Sequence, residues 1–178
     1  ADASGMMVSF IQSNYMGFGS GVVVPGTGIS LQNRGCGFSL DPQHPNVVAG
    51  SKRPFHTIIP AFALDAAGQP LMSFGVMGGP MQAQGHLQLA LRIMQHKQNP
   101  QAAIDAPRWR VEQGRAVVVE PGIDRNVLAK LREMGHQITV EDPLQSYNFG
   151  GAQAIVRDPQ GFYIAATESR KDGQALVF

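Results

Sequence analysis

The sequence has one cysteine, one tryptophan and no block of like charge in 178 residues. A single thiol, Cys36, excludes an internal disulfide framework and is read as a small packed side chain. Charged residues make up only 15% of the chain, with acids and bases interspersed and a formal charge of +1. Without a basic stripe to neutralise phosphates, nucleic acid is not expected as a partner. Every long apolar stretch is broken by Gly, Pro or charge before the roughly 18 residues that a membrane-crossing helix needs, so no such span is expected. The five histidines, His44, His56, His86, His96 and His136, lack HExxH or other compact ligand spacing, which argues against zinc. There is no GxSxG elbow and no Walker loop, and "GFGSG" fits neither dinucleotide fingerprint. No metal or organic cofactor is implied.

What is present is 43% hydrophobic residues, enough to enclose a sizeable core, with no repeat, low-complexity tract or linker. Residues 1–178 therefore read as one domain. "DASG" reads as a turn whose first strand would precede Ala1, and Met6 to Ser13 as the strand that follows it. "PGTG" joins two short strands, and Arg34 to Asn46 has the composition of a long functional loop. "TIIPAFALDAAGQPLMSFGVMGG" predicts a hairpin of two nearly continuous apolar strands, covered on both faces.

Beyond it, Gln82 to about Lys97 has helical periodicity, with Leu87, Ala90, Leu91 and Met94 on one stripe and Leu89 and Ile93 widening it. A helix that broad is expected to be pressed between layers. A short helix closed by Pro107 follows, then strand "AVVVE". The next helix is capped by Asp124, striped by Val127, Leu128, Leu131 and Met134, and ended by Gly135. "QITVE", "AQAIVRD" and "FYIAATE" complete the series as strands. Strands, then helices, then strands indicate α+β layers.

The stretch "FGVMGGPMQAQGH" concentrates the chemistry. A strand that ends in Gly78 and Gly79 lets a ligand reach bare backbone, and Pro80 suits the first helical position. Unpaired N–H groups there would favour a negatively charged oxygen, either an anion at rest or the oxyanion of acyl transfer. A tight strand-to-helix turn with no ligand is the other reading. In "SKRPFHTIIP", Lys52, Arg53, His56 and Thr57 could meet a carboxylate or could form a solvated loop end.

Taken together, "DASGMMVSFIQSNYMGFGSGVVVPGTGISLQN", "KRPFHTIIPAFAL", "GQPLMSFGVMGG", "AAIDAPRW", "GGAQAIV" and "ESR" resemble, in order, the small-subunit half of the gamma-glutamyltransferase family. The resemblance covers nearly the whole chain. It implies an N-terminal nucleophile hydrolase fold, a four-layer αββα sandwich, here without its first strand and large subunit. Family members are made as one precursor that cuts itself ahead of a threonine. That hydroxyl attacks a gamma-glutamyl amide, and the acyl-enzyme passes to water or an amino acid. Such a partner is the large subunit of the same precursor, and the substrate is a small-molecule amide.

By the resemblance, Gly78 and Gly79 match the oxyanion-hole pair, each donor worth roughly 3 kcal/mol in comparable sites. Ser13 stands where a second threonine hydrogen-bonds the nucleophile. Tyr15 stands at a substrate-contacting asparagine. His56 and Thr57 replace a serine pair that holds the substrate's alpha-carboxylate. Arg34 replaces a glutamine, and Gly37 an aspartate that grips the alpha-amino group. The nucleophilic threonine would lie upstream of Ala1. These features imply a gamma-glutamyl hydrolase, or alternatively a glutaryl or cephalosporin-type acylase of the same family. A third alternative is a non-catalytic module that keeps the acyl pocket.

Overall fold

The computed structural model describes residues 1–142 and 147–177. They divide into two compact units, Ile11–Ile58 and a larger one of Ala1–Phe10 with Ile59–Phe178. In the larger unit the expected hairpin forms from β1 (Ala61–Leu64) and β2 (Pro70–Met77), in register at Ala61↔Phe74 and Ala63↔Met72. The Asp65 carboxylate closes its turn by accepting the N–H groups of Ala67 and Gln69, both at 2.8 Å. A second hairpin, β6 (Gly151–Arg157) and β7 (Tyr163–Thr167), completes an antiparallel sheet of order β1-β2-β6-β7.

Alternation along these strands sends Met72, Phe74 and Val76 of β2, Ala152 and Ala154 of β6 and Ala166 of β7 to one buried face. That face is covered by Leu89 and Ile93 at one end and by Ala103 and Ile104 at the other. Leu89 lies on α1 (Met81–Ala90), which continues into a wider π-helical segment, Leu91–Gln95, containing Ile93. Ala103 and Ile104 lie on α2 (Pro100–Asp105), whose Asn99 side chain caps the first turn. The second sheet joins β3 (Trp109–Val111), antiparallel, and β5 (Gln137–Val140), parallel, to β4 (Ala116–Val119). Helix α3 (Arg125–Glu133) makes the crossover between the parallel pair and seats Leu128 against Val117 and Val119. Asp124 caps α3 and Gly135, at φ +90°, follows its end, as expected.

Several expectations are corrected. Of the anticipated stripe on α1 and its π-helical continuation, Leu87, Leu91 and Met94 are exposed, and only Ala90 packs against the core. The buried face carries Gln82, Gly85, His86 and Leu89 instead. Likewise Val127 and Met134 of α3 are exposed, and β1 alternates between half-buried and exposed positions rather than being covered on both faces. Met6–Ser13 pairs with no strand among the described residues. Its Val8 carbonyl takes the Ser73 hydroxyl at 2.7 Å and its Ser9 hydroxyl donates to the Phe74 carbonyl at 3.0 Å. Those are side-chain bonds to a neighbouring strand, which hold a segment in place without building a ladder. Strand β3 was not anticipated; three residues are too few for a period to show.

Polar side chains on α1 have a task that hydrophobic periodicity does not reveal. At the outer edge of β3, Gln88 accepts the Trp109 N–H at 3.1 Å and donates to the Trp109 carbonyl at 2.7 Å. Gln84 does the same to Val111, at 2.7 and 3.1 Å. On the edge strand β7, Gln101 of α2 accepts the Thr167 N–H at 3.0 Å and donates to its carbonyl at 2.8 Å. Each primary amide thus replaces one residue of a missing neighbouring strand and satisfies an edge that would otherwise be open.

The two sheets are tied together by buried charge. Arg108, before β3, donates to Glu168 at 2.6 Å and to the Phe149 and Ile104 carbonyls, both at 3.0 Å. Arg170 donates from Nε and Nη2 to the two oxygens of Glu120, after β4, at 2.6 and 2.7 Å, and from Nη1 to Glu168 at 2.6 Å. Glu168 also accepts the Ala152 N–H of β6 at 2.6 Å. Burial alone would push the Glu168 carboxyl up; Arg108, then Arg170 and the Ala152 amide outweigh it and hold it below the usual glutamate range. Burial likewise works against the charge of Arg170, whose bonds to Glu120 and Glu168 prevail and raise it.

In the smaller unit a hairpin forms around "PGTG", with Leu31 N–H to the Val22 carbonyl and Val24 N–H to the Ile29 carbonyl, both at 2.9 Å. The long loop opens with a 3₁₀ turn, Arg34–Gly37, and Cys36 is exposed on it rather than packed. A turn this tight leaves its middle residues no core to enter.

A carboxyl whose folded value is depressed stabilises the fold above its unfolded value and loses that contribution as pH falls through the folded one. Glu168→Gln in the complete protein is expected to lower unfolding free energy at neutral pH by about 3 kcal/mol, because Arg108 is left buried without its counter-charge. It is also expected to flatten the decline that sets in as pH falls toward and below the ordinary glutamate range. Urea unfolding at a series of pH values measures both.

Candidate functional site

The strand-to-helix corner begins where β2 stops at Met77. Gly78 follows at φ +130° and Gly79 at φ +58°, both in the region L side chains avoid. Pro80 is already helical, at φ −60° and ψ −22°, and α1 runs on from Met81. The two glycine carbonyls are occupied, Gly78 by the Met81 N–H at 3.2 Å and Gly79 by the Gln82 N–H at 3.0 Å. Their own N–H groups donate to no acceptor among the described residues. Two unused donors at the positive end of a helix are what a developing oxyanion requires.

The two glycines are needed for different reasons. A Cβ built on Gly78 would lie 2.9 Å from the Gly150 Cα, so backbone meets backbone there. A Cβ on Gly79 would meet nothing within 4 Å, and only its backbone angle excludes a side chain.

Four other expected residues come together in the smaller unit. Arg34, only 6% exposed, is the centre. It donates from Nη2 to the Ser13 hydroxyl at 2.6 Å and from Nη1 to the Thr57 hydroxyl at 3.3 Å. Its guanidinium carbon lies 5.2 Å from the centre of the Tyr15 ring, a cation–π arrangement. Tyr15 reaches that position with φ at +76°, a conformation costly for an aromatic residue. The Tyr15 N–H to Ser13 Oγ bond at 3.2 Å and the Met16 N–H to Asn33 Oδ1 bond at 3.1 Å hold it there. Ser13 Oγ therefore accepts two hydrogen bonds and keeps its own proton to donate.

Arg34 forms no ion pair with a carboxylate among the described residues. A buried guanidinium satisfied only by hydroxyls and a ring face retains an unbalanced charge, which favours an anionic ligand. The remaining two expectations fall outside this cluster. His56 is exposed and its Nδ1 accepts the Ile58 N–H at 3.2 Å. Gly37 offers only backbone, its carbonyl taking the Asn46 amide.

Sequence periodicity passed over two polar residues beside the glycine corner. Gln82 accepts the Ile59 N–H at 3.1 Å, and His86 accepts the Val76 N–H at 3.3 Å. The available signal was their i, i+4 spacing on the helix face turned toward β2. No group of three or more His, Cys, Asp or Glu among the described residues is arranged to hold a metal ion.

A family model for gamma-glutamyltranspeptidase matches residues 1–178. The oxamate amidohydrolase proenzyme of Klebsiella pneumoniae subsp. pneumoniae is 43% identical over 99% of this chain and 34% of its own length. The glutathione hydrolase-like YwrD proenzyme of Bacillus subtilis is 40% identical over 98% and 34%. Among solved structures, a cephalosporin acylase from Bacillus halodurans superposes with a TM-score of 0.85 at 52% identity, covering 92% of this chain and 30% of that one. The chain thus spans about a third of the length of the curated relatives it matches.

Replacing Gly79 by valine separates conformation from packing. The valine Cβ meets no neighbour within 4 Å, but its backbone conformation costs about 1–3 kcal/mol in the left-handed region. The peptide is expected to turn away; where this corner serves as an oxyanion hole in the complete protein, kcat falls about 100-fold with KM little changed. Gly78→Ala is expected instead to lower the melting temperature, because its methyl group strikes Gly150. Steady-state kinetics and thermal melts of the complete protein distinguish the two.

Proposed function

Since this chain belongs to the gamma-glutamyltranspeptidase family, we propose that it supplies most of the small subunit of an amide hydrolase with an N-terminal threonine nucleophile. The preferred substrate is a small amide whose acyl part ends in a carboxylate and needs no ammonium. The observation that carries this reading is Arg34: a buried cation with two hydroxyl partners and no carboxylate partner among the described residues. Gly37, which by family resemblance replaces an ammonium-gripping aspartate, supports the second half. Oxamate, named for the Klebsiella relative, is such an amide, and a glutaryl group is another.

In this reading a threonine that residues 1–178 do not contain attacks the amide carbon. The carbonyl π electrons move to oxygen, which the Gly78 and Gly79 N–H groups receive. Collapse of the tetrahedral intermediate breaks the C–N bond, and the amine leaves with the proton taken from the hydroxyl. Water then attacks the ester by the same route and restores the threonine. By the family resemblance, Ser13 with its free O–H is assigned to the attacking oxygen and Arg34 and Thr57 to the acyl carboxylate, while Tyr15 holds the guanidinium plane.

The large subunit of the same precursor is the proposed partner. The proenzyme names of the relatives support it, as does the exposed apolar row of Leu87 on α1 with Leu91 and Met94 on its π-helical continuation.

Turnover of oxamate, a glutaryl anilide and a gamma-glutamyl anilide by the complete protein tests the proposal. Oxamate or the glutaryl compound is expected to exceed the gamma-glutamyl one in kcat/KM, and Arg34→Met is expected to raise KM by tenfold or more for the preferred substrate. A clear preference for the gamma-glutamyl anilide, unchanged in Arg34→Met, overturns the assignment.

A further inference from the structure

We infer that His86 is a positioning residue for the oxyanion corner, fixing the end of β2 against the first turn of α1 as a neutral imidazole with its proton on Nδ1. The inference rests on the role proposed above for Gly78 and Gly79. It starts from where the β1–β2 ladder ends. The last pair on the side of the corner is Ala61↔Phe74. Two residues further along β2, Val76 is fully buried and lacks a β1 partner. Its N–H goes to His86 Nε2 at 3.3 Å. Two residues before Ala61, the Ile59 N–H goes to Gln82 Oε1 at 3.1 Å. The helix thus takes over the two donors at which the strands part.

The chemistry of the ring fixes its protonation. Nε2 accepts a hydrogen bond, so it holds the lone pair, and Nδ1 is the protonated nitrogen. Nδ1 sits 2.5 Å from the Gln82 carbonyl and donates to it. One ring therefore links the main chain at Val76, two residues before Gly78, to the main chain at Gln82, three residues after Gly79. These links flank the turn that carries the two free N–H groups.

The ring is buried and packs at 5.6 Å, tilted by 50°, against Phe74. A close approach of α1 to β2 makes this reach possible, since a Cβ on Gly85 would lie 2.6 Å from Val76 Cγ1. A purely packed aromatic would need neither polar contact.

An acceptor at the tip of the side chain, rather than ring volume, is the required property. His86→Met gives an apolar side chain of similar length with only a weak thioether acceptor; His86→Gln restores a full acceptor at the same reach. In the complete protein His86→Met is expected to lower kcat about 100-fold with KM within about twofold, as a misplaced donor pair does. His86→Gln is expected to recover kcat to within about fivefold of the parent. Amide exchange at Val76 should quicken in the methionine variant and slow again in the glutamine variant.

Parental kcat in His86→Met overturns the inference. So does a folded His86→Gln variant that loses as much kcat as the methionine variant. If the methionine variant does not fold, the glutamine variant alone decides: kcat near the parent supports the inference and a 100-fold loss ends it. Gly79→Val assayed in parallel keeps the two ideas apart. Full activity there defeats the oxyanion role itself, whereas its loss beside an unaffected His86→Met defeats only the positioning role.

Discussion

Two guanidinium groups and two carboxylates, buried where the sheets of the larger unit meet, are the interaction on which its arrangement depends. Glu168 follows β7 and bonds the Ala152 amide of β6, while Glu120 follows β4. Arg108 and Arg170 bridge them. Losing one member of such a buried set costs about 3–5 kcal/mol, whereas the part-exposed pair Arg110–Glu112 contributes at most about 1 kcal/mol. The same arginines finish α2. A six-residue helix has little stability of its own. Its terminal carbonyls at Ile104, Asp105 and Ala106 accept from Arg170, and Arg92 reaches Ala103, Ala106 and Pro107. Cations at a helix C-terminus complement both its dipole and its unpaired carbonyls.

Helix α1 is the second organiser, and it works through polar atoms. Gln82, Gln84, His86 and Gln88 bind the main chain at Ile59, Val111, Val76 and Trp109. Three separate stretches of backbone are therefore indexed to one helix. Leu89 and Ile93 add the apolar contact, and the outward leucines are left for another surface. A shift of this helix by one turn would break all four links at once, which is why the corner at its start can be held to a single geometry.

Much of this was legible from local chemistry. Asp124 and Gly135 announced the two ends of α3, because a cap is decided by residues within four positions of it. The glycine corner was legible for the same reason. The Arg108–Glu168 pair spans 60 residues and Arg170–Glu120 spans 50, distances over which no periodicity speaks. "APRW" and "ESR" were visible only as fragments of a family resemblance, with no sign that they meet. Helix α1 misled because hydrophobic period assigns every leucine to a core, and it does not recognise a glutamine that substitutes for a strand. Arg34, Ser13, Tyr15 and Thr57 were grouped by resemblance, and their hydrogen bonds supply the physical reason for the grouping. His56 stood beside Thr57 in sequence but points elsewhere, as neighbours in an extended segment do.

Gly37 shows how one crowded position can restrict the history of a binding site. A Cβ built there would lie 3.2 Å from the Phe55 carbonyl oxygen and 3.8 Å from Pro54 Cβ, a fit tighter than ordinary packing accepts. An acidic side chain at 37 therefore requires the 54–55 segment to give by a few tenths of an ångström. Under the proposed function, the loop at 54–55 thus has a share, beside the residue at 37, in keeping an ammonium-gripping carboxylate out of the smaller unit. A lineage or an engineer seeking ammonium recognition would adjust the loop together with the residue.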